Sequence, residues 1–113
     1  MSALDPQITQ QLAEDLPPEV FVTVLRTFEA DLARLARQIR AAAEGGDLEG
    51  YRRGAHGLAG AAGAIGAREL EALCREAMRP LPSLCPADLL PRLDVAASEA
   101  LRELAALLSP PLP

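Results

Sequence analysis

The sequence predicts an all-α fold: an antiparallel up-and-down four-helix bundle with one short additional helix on the N-terminal side. Three observations predict it. Apolar residues recur at intervals of three and four through long segments, the spacing of one helix face, and nothing reads as a half-buried strand. Proline and glycine cluster between those segments, at Pro17–Pro18, Gly45–Gly46 and the proline-rich run after Met78. Half of the residues are hydrophobic but only 3% are aromatic, so the core is built from Leu, Ala, Val and Ile, which suits closely packed helices. A chain of 113 residues fits one domain, placed at 1–108, with 109–113 as a flexible proline-rich tail.

Asp5 before Pro6 is a helix start, a capping carboxylate followed by proline at the first position, where a missing N–H costs nothing. The short helix PQITQQLAED ends before Pro17 and Pro18, which open the next one. There Phe21, Leu25, Phe28, Leu32, Leu35 and Ile39 form an apolar stripe, with Glu29, Asp31, Arg34, Arg37 and Arg40 on the other side. Gly45 and Gly46 stop this helix, and Asp47 caps a third, LEGYRRGAHGLAGAAGAI, which breaks near Gly66. A fourth, ARELEALCREAM, puts Leu70, Leu73, Cys74 and Ala77 on one face. RPLPSLCP reads as a loop, and a fifth helix follows with Leu90, Leu93, Ala97, Leu101, Leu104 and Leu108 as its stripe.

The third helix holds the only histidine, His56, inside a run with glycine at every third position from Gly54 to Gly66. At about 100° per residue, Tyr51, Leu58 and Ile65 fall together with Ala61 and Ala62 beside them, and these face the core. His56 lies nearly opposite and faces solvent. Arg52 and Arg53, one turn earlier, share its side, as do Ala59, Gly60 and Gly63 beyond it. Gly54 falls near the core stripe, Gly57 lies to one side of His56, and Gly66 ends the helix. Gly60 and Gly63 leave bare backbone beside the imidazole, where another protein can approach closely. A collagen repeat, a dinucleotide-binding loop and a membrane GxxxG pair each need spacings or contexts that are missing.

The formal net charge of −5 argues against general nucleic-acid binding, which needs a basic face. Cys74 and Cys85 are too few for a disulfide framework and form no metal motif, so both are expected reduced and packed as small apolar residues, with no metal site. The first residues lack a basic and apolar leader pattern. The uncharged stretch 54–67 falls short of the about 20 residues a membrane span needs, which leads to an expectation of a soluble cytoplasmic protein. Glu69, Glu71 and Glu76 read as an ordinary charged face.

The stretch AHGLAGAAGAIGARELEALCREAM resembles the signature of histidine-containing phosphotransfer (HPt) domains, written AHxLKGxxxxxGAxxLxxxCxxLE. Ala55, His56, Leu58, Gly60, Gly66, Ala67, Leu70 and Cys74 carry the match, with Arg52 and Arg53 in the commonly basic turn before the histidine. It covers about Val20 to Met78. The chain departs where the family usually has lysine three residues after the histidine, at Ala59, and where small polar residues are frequent, at Ala61 and Ala62. That lysine is thought to help hold the phosphoryl oxygens.

The resemblance implies a phosphoryl carrier of a two-component phosphorelay rather than an autonomous enzyme. His56 would exchange a phosphoryl group with the aspartate of a response-regulator receiver domain. Arg52, Arg53, Gly57, Ala59, Gly60 and Gly63 would lie near the phosphate and the docking partner. No cofactor would be bound by this chain, Mg²⁺ coming from the receiver. The partners implied are a receiver domain, a hybrid histidine kinase or both, without nucleic acid or membrane, and the chain would be a monomer. Imidazole, with an ordinary pKa of about 6.5, is a good nucleophile near pH 7. An alternative is an HPt-like docking module that binds a receiver or kinase without carrying phosphate, and a weaker one is a purely structural helical partner.

Overall fold

The computed structural model describes residues 2–80 and 84–109. Among them are five helices and no strand: α1 (Pro6–Asp15), α2 (Pro18–Glu44), α3 (Leu48–Ala64), α4 (Arg68–Ala77) and α5 (Pro86–Leu108). α2 packs on α3 and α5, and α4 packs on α3 and α5, which closes a ring of four helices; α1 lies against α2 alone. This is the expected bundle with its extra N-terminal helix. Leu25, Leu32, Ile39, Leu58, Ile65, Leu70, Leu89, Leu93 and Leu104 are fully buried in one core. Burying each such side chain contributes about 1.5–3 kcal/mol. Phe21, Phe28, Leu35 and Leu101 complete the stripes from partly buried positions.

Both inner turns end their helices in the same way. Gly46 and Gly66 have φ of 71° and 72°, the left-handed conformation that a side chain disfavours. Asp47 N–H then reaches Ala42 O at 2.8 Å, and Ala67 N–H reaches Ala62 O at 2.8 Å, closing a Schellman motif in each turn. Asp47 goes on to cap α3 by accepting from Gly50 N–H at 2.9 Å. The short turns make α2, α3 and α4 successively antiparallel.

Two expectations change. α5 begins at Pro86, a turn ahead of its predicted stripe, and runs through Pro91. The missing N–H at Pro91 leaves the carbonyl of exposed Ala87 without its helical donor. Only Cys74 is a packed cysteine. Burial, and secondarily the Glu71 charge, push its thiol up to about 12. Cys85 is exposed at the start of α5, its thiol directed at Asp88 Oδ2 at 3.3 Å, because it precedes the helix instead of facing the core. Of the proposed tail, Ser109 is the cap of α5 and residues 110–113 lie outside the described residues, as do 81–83 of the proposed loop. No helix among the described residues is long and apolar enough to cross a membrane.

Candidate functional site

His56 stands at mid-length on α3, exposed, with no hydrogen bond or ion pair among the described residues. Its orientation follows from the opposite face: Tyr51, Ala55, Leu58, Ala62 and Ile65 are all buried, which turns the imidazole outward. Gly54 sets how closely α3 meets α2, since a Cβ there would lie 2.7 Å from Ile39 Cγ1. Gly57 faces the same neighbour, with Leu35 Cδ2 at 3.3 Å from a Cβ position. The sector around His56 is therefore bounded by α2 on the Gly57 side.

Arg52 and Arg53 are exposed on the His56 side, as predicted, but they differ. Arg53 pairs with Glu49 at 3.2 Å, whereas Arg52 has no partner among the described residues. Gly60 is open, with nothing within 4 Å of a Cβ position. Backbone is bare there, one turn beyond the imidazole.

Two predicted members of the face are placed otherwise. Ala59 is only 4% exposed and belongs to the core cluster. Three residues beyond His56 is a step of about −60° around the helix, away from α2. That step carries Ala59 toward the flank packed on α4, where one methyl group is easily covered. Gly63 is not bare either, because the Glu71 carboxylate of α4 fills its side, with Oε2 at 2.9 Å from a Cβ position. Glu71 accepts from Arg75 Nη2 at 2.7 Å, and Glu76 pairs with Arg79 at 3.2 Å. Glu71 and Glu76 of this charged face are thus held in ion pairs. The Glu71–Arg75 pair is the part of the site that a reading of α3 alone misses; the signal for it is the Glu-x-x-x-Arg spacing on α4.

Near His56 the neighbouring groups are Arg52, the Arg53–Glu49 pair and the bare backbone at Gly60, and no group of three or more His, Cys, Asp or Glu able to hold a metal ion is found among the described residues. A surface depression of about 710 Å³ lies elsewhere, between the N-terminal segment, the α3–α4 turn and α5. The imidazole is therefore presented on an open outer face that suits contact with another macromolecule.

No curated protein and no solved structure matches the chain. The family model for the Hpt domain matches residues 23–109. That span starts in α2 and closes after α5, further along than the signature around His56 reaches. Because it takes in the four-helix ring from the second turn of α2 onward, the chain belongs to the Hpt domain family and has a phosphotransfer-related role in two-component signalling, where Hpt domains interact with receiver domains and histidine kinases.

Proposed function

We propose that His56 is the phosphoacceptor of a phosphorelay intermediate that exchanges a phosphoryl group with the aspartate of a response-regulator receiver domain. The observation that carries this reading is the exposed, unpartnered imidazole on the outer face of α3, beside the open backbone at Gly60. In the transfer, a lone pair on a ring nitrogen of His56 forms the N–P bond. The P–O bond of the aspartyl phosphate breaks, the carboxylate leaves, and the ring N–H proton is released to solvent. Such a reaction is governed by alignment and by neutralising charge on the moving oxygens. Gly60 admits the partner, and unpaired Arg52 supplies positive charge from one turn back. Mg²⁺ is supplied by the receiver in this reading. The domain works as a monomer in the cytoplasm.

The second reading, a docking module that carries no phosphate, is favoured by one observation: Ala59 stands where the family usually has lysine. Intact mass after incubation with phosphoramidate separates the two. One acid-labile phosphoryl group gained by the wild type and absent from His56→Gln is the expected result. No gain, with binding to a receiver retained, overturns the carrier reading in favour of the docking module.

A further inference from the structure

We infer that Arg75 of α4 supplies the cation that meets the phosphoryl group on His56 from the C-terminal side of α3, with Glu71 holding its guanidinium in readiness. The inference rests on His56 being the phosphoacceptor. Arg52 approaches from the N-terminal side of His56, but the outer face of α3 carries no cation on the other side, where Ala59, Gly60 and Gly63 follow. Whatever neutralises the phosphoryl oxygens there comes from a neighbouring helix or from the partner.

The geometry points to α4. The same Glu71 Oε2 lies 2.9 Å from the Cβ position of Gly63 and accepts from Arg75 Nη2 at 2.7 Å. The Glu71 carboxylate therefore leans over α3 and occupies the space that a side chain at 63 would take. α3 and α4 are antiparallel across the turn at Gly66, so one turn forward along α4, from Glu71 to Arg75, retraces one turn of α3, from Gly63 to the level of Ala59 and Gly60. The Arg75 backbone is thus level with the turn just beyond His56, about 5 Å further along the axis. The α3 residue on that flank, Ala59, has only a methyl group, and it is buried. Arg75 is 66% exposed and free to swing, whereas Glu71, at 25%, is the fixed end of the pair.

An ordinary surface pair of this spacing points outward and contributes little. This one is set into the flank of the proposed site by a glycine. A phosphoryl dianion competes well with one carboxylate for a guanidinium, since charge-assisted contacts strengthen with acceptor charge. Arg75 then moves from Glu71 to the phosphoryl oxygens as the N–P bond forms.

The test uses phosphoramidate and the whole chain. His56 forms its N–P bond as the donor P–N bond breaks and ammonia leaves, so no partner protein is needed. Initial rates of mass gain are measured for wild type, Arg75→Ala, Arg75→Lys and Glu71→Gln. Arg75→Ala is expected to slow the gain about three- to tenfold, the effect of one exposed charge-assisted contact. Arg75→Lys recovers part of that loss, and Glu71→Gln, which no longer holds the guanidinium beside the site, falls between wild type and Arg75→Ala. The Arg75 side-chain ¹⁵N resonances are expected to move when His56 is phosphorylated, which a merely structural ion pair would not show. Arg75→Ala within twofold of wild type, with those resonances unmoved, overturns the assignment of Arg75 and leaves His56 standing. Failure of the wild type itself to gain the group overturns the phosphoacceptor reading, and this inference with it.

Discussion

The glycines around His56 have separate duties, because a period of three visits the faces of a helix in turn. At Gly54 an added methyl group meets Ile39 Cγ1 at 2.7 Å, at the close approach of α2 and α3. At Gly60 it meets nothing within 4 Å. The same substitution at the two positions is therefore expected to act with opposite sign. Gly54→Ala overpacks the interface and costs about 1–3 kcal/mol. Gly60→Ala removes backbone freedom from an exposed helix interior and stabilises by about 0.5–1 kcal/mol. Thermal unfolding of both variants checks this, and a rise in Tm for Gly54→Ala would contradict the packing of α2 on α3. Helical angles place Gly54, Gly57 and Gly60 from sequence alone, since each lies well within a sector. Ala59 and Gly63 are different: whether the edge of a helix is bare depends on how closely α4 packs there, and no spacing within α3 encodes that.

At the level of elements, the segment before α1 acts as a strap. Leu4 is buried at 3% exposure, and Asp5 N–H reaches Gly66 O at 3.0 Å in the α3–α4 turn. On α5, the Glu103 carboxylate accepts from the Ser2 hydroxyl at 2.7 Å, from Leu4 N–H at 3.1 Å and from Ala3 N–H. Partial burial alone would raise the Glu103 carboxyl, but the Ala3, Ser2 and Leu4 donors together hold it below the usual carboxylate range. The Arg68 guanidinium, then the Gln7 N–H, lower Asp5 in the same direction. A carboxyl that is more acidic folded than unfolded contributes stability above its unfolded value, and that contribution is lost as pH falls through the folded value. Acidification from pH 6 to 3 is therefore expected to loosen the strap, raising amide exchange at Leu4 more steeply than in α3. In Glu103→Gln, exchange at Leu4 should be fast already at pH 6 and change less with pH; a profile equal to wild type would show that Glu103 does not hold the strap. The Asp5–Pro6 cap is legible in the sequence because it is local. The bond from Ser2 to Glu103 spans 101 positions and has no local signature.

Across the whole molecule, stability and the proposed chemistry occupy opposite sides of one helix. The four-helix ring was legible because each long helix carries its own stripe and the turns at Gly46 and Gly66 are too short for anything but antiparallel neighbours. The placement of α4 over the flank of α3 was not, because it follows from packing among Leu58, Leu70, Leu73 and the α5 leucines taken together. Leu58 is fully buried, and two residues before it His56 is exposed without a partner. Leu58→Ala is expected to cost about 2–5 kcal/mol through lost burial and the cavity left behind. That is a large part of the about 5–15 kcal/mol that holds a domain of this kind together. At about 4–8 °C per kcal/mol for a small domain, its Tm falls by roughly 10 °C or more. His56→Gln, which touches nothing in the core, should stay within about 0.5 kcal/mol of wild type. Circular dichroism melts of the two variants at pH 7 decide the matter. Comparable losses would mean that α3 is rotated from the orientation described. Loss at Leu58 alone makes the His56→Gln protein a folded control, so that any phosphoryl group it fails to gain reports on the imidazole and not on the bundle.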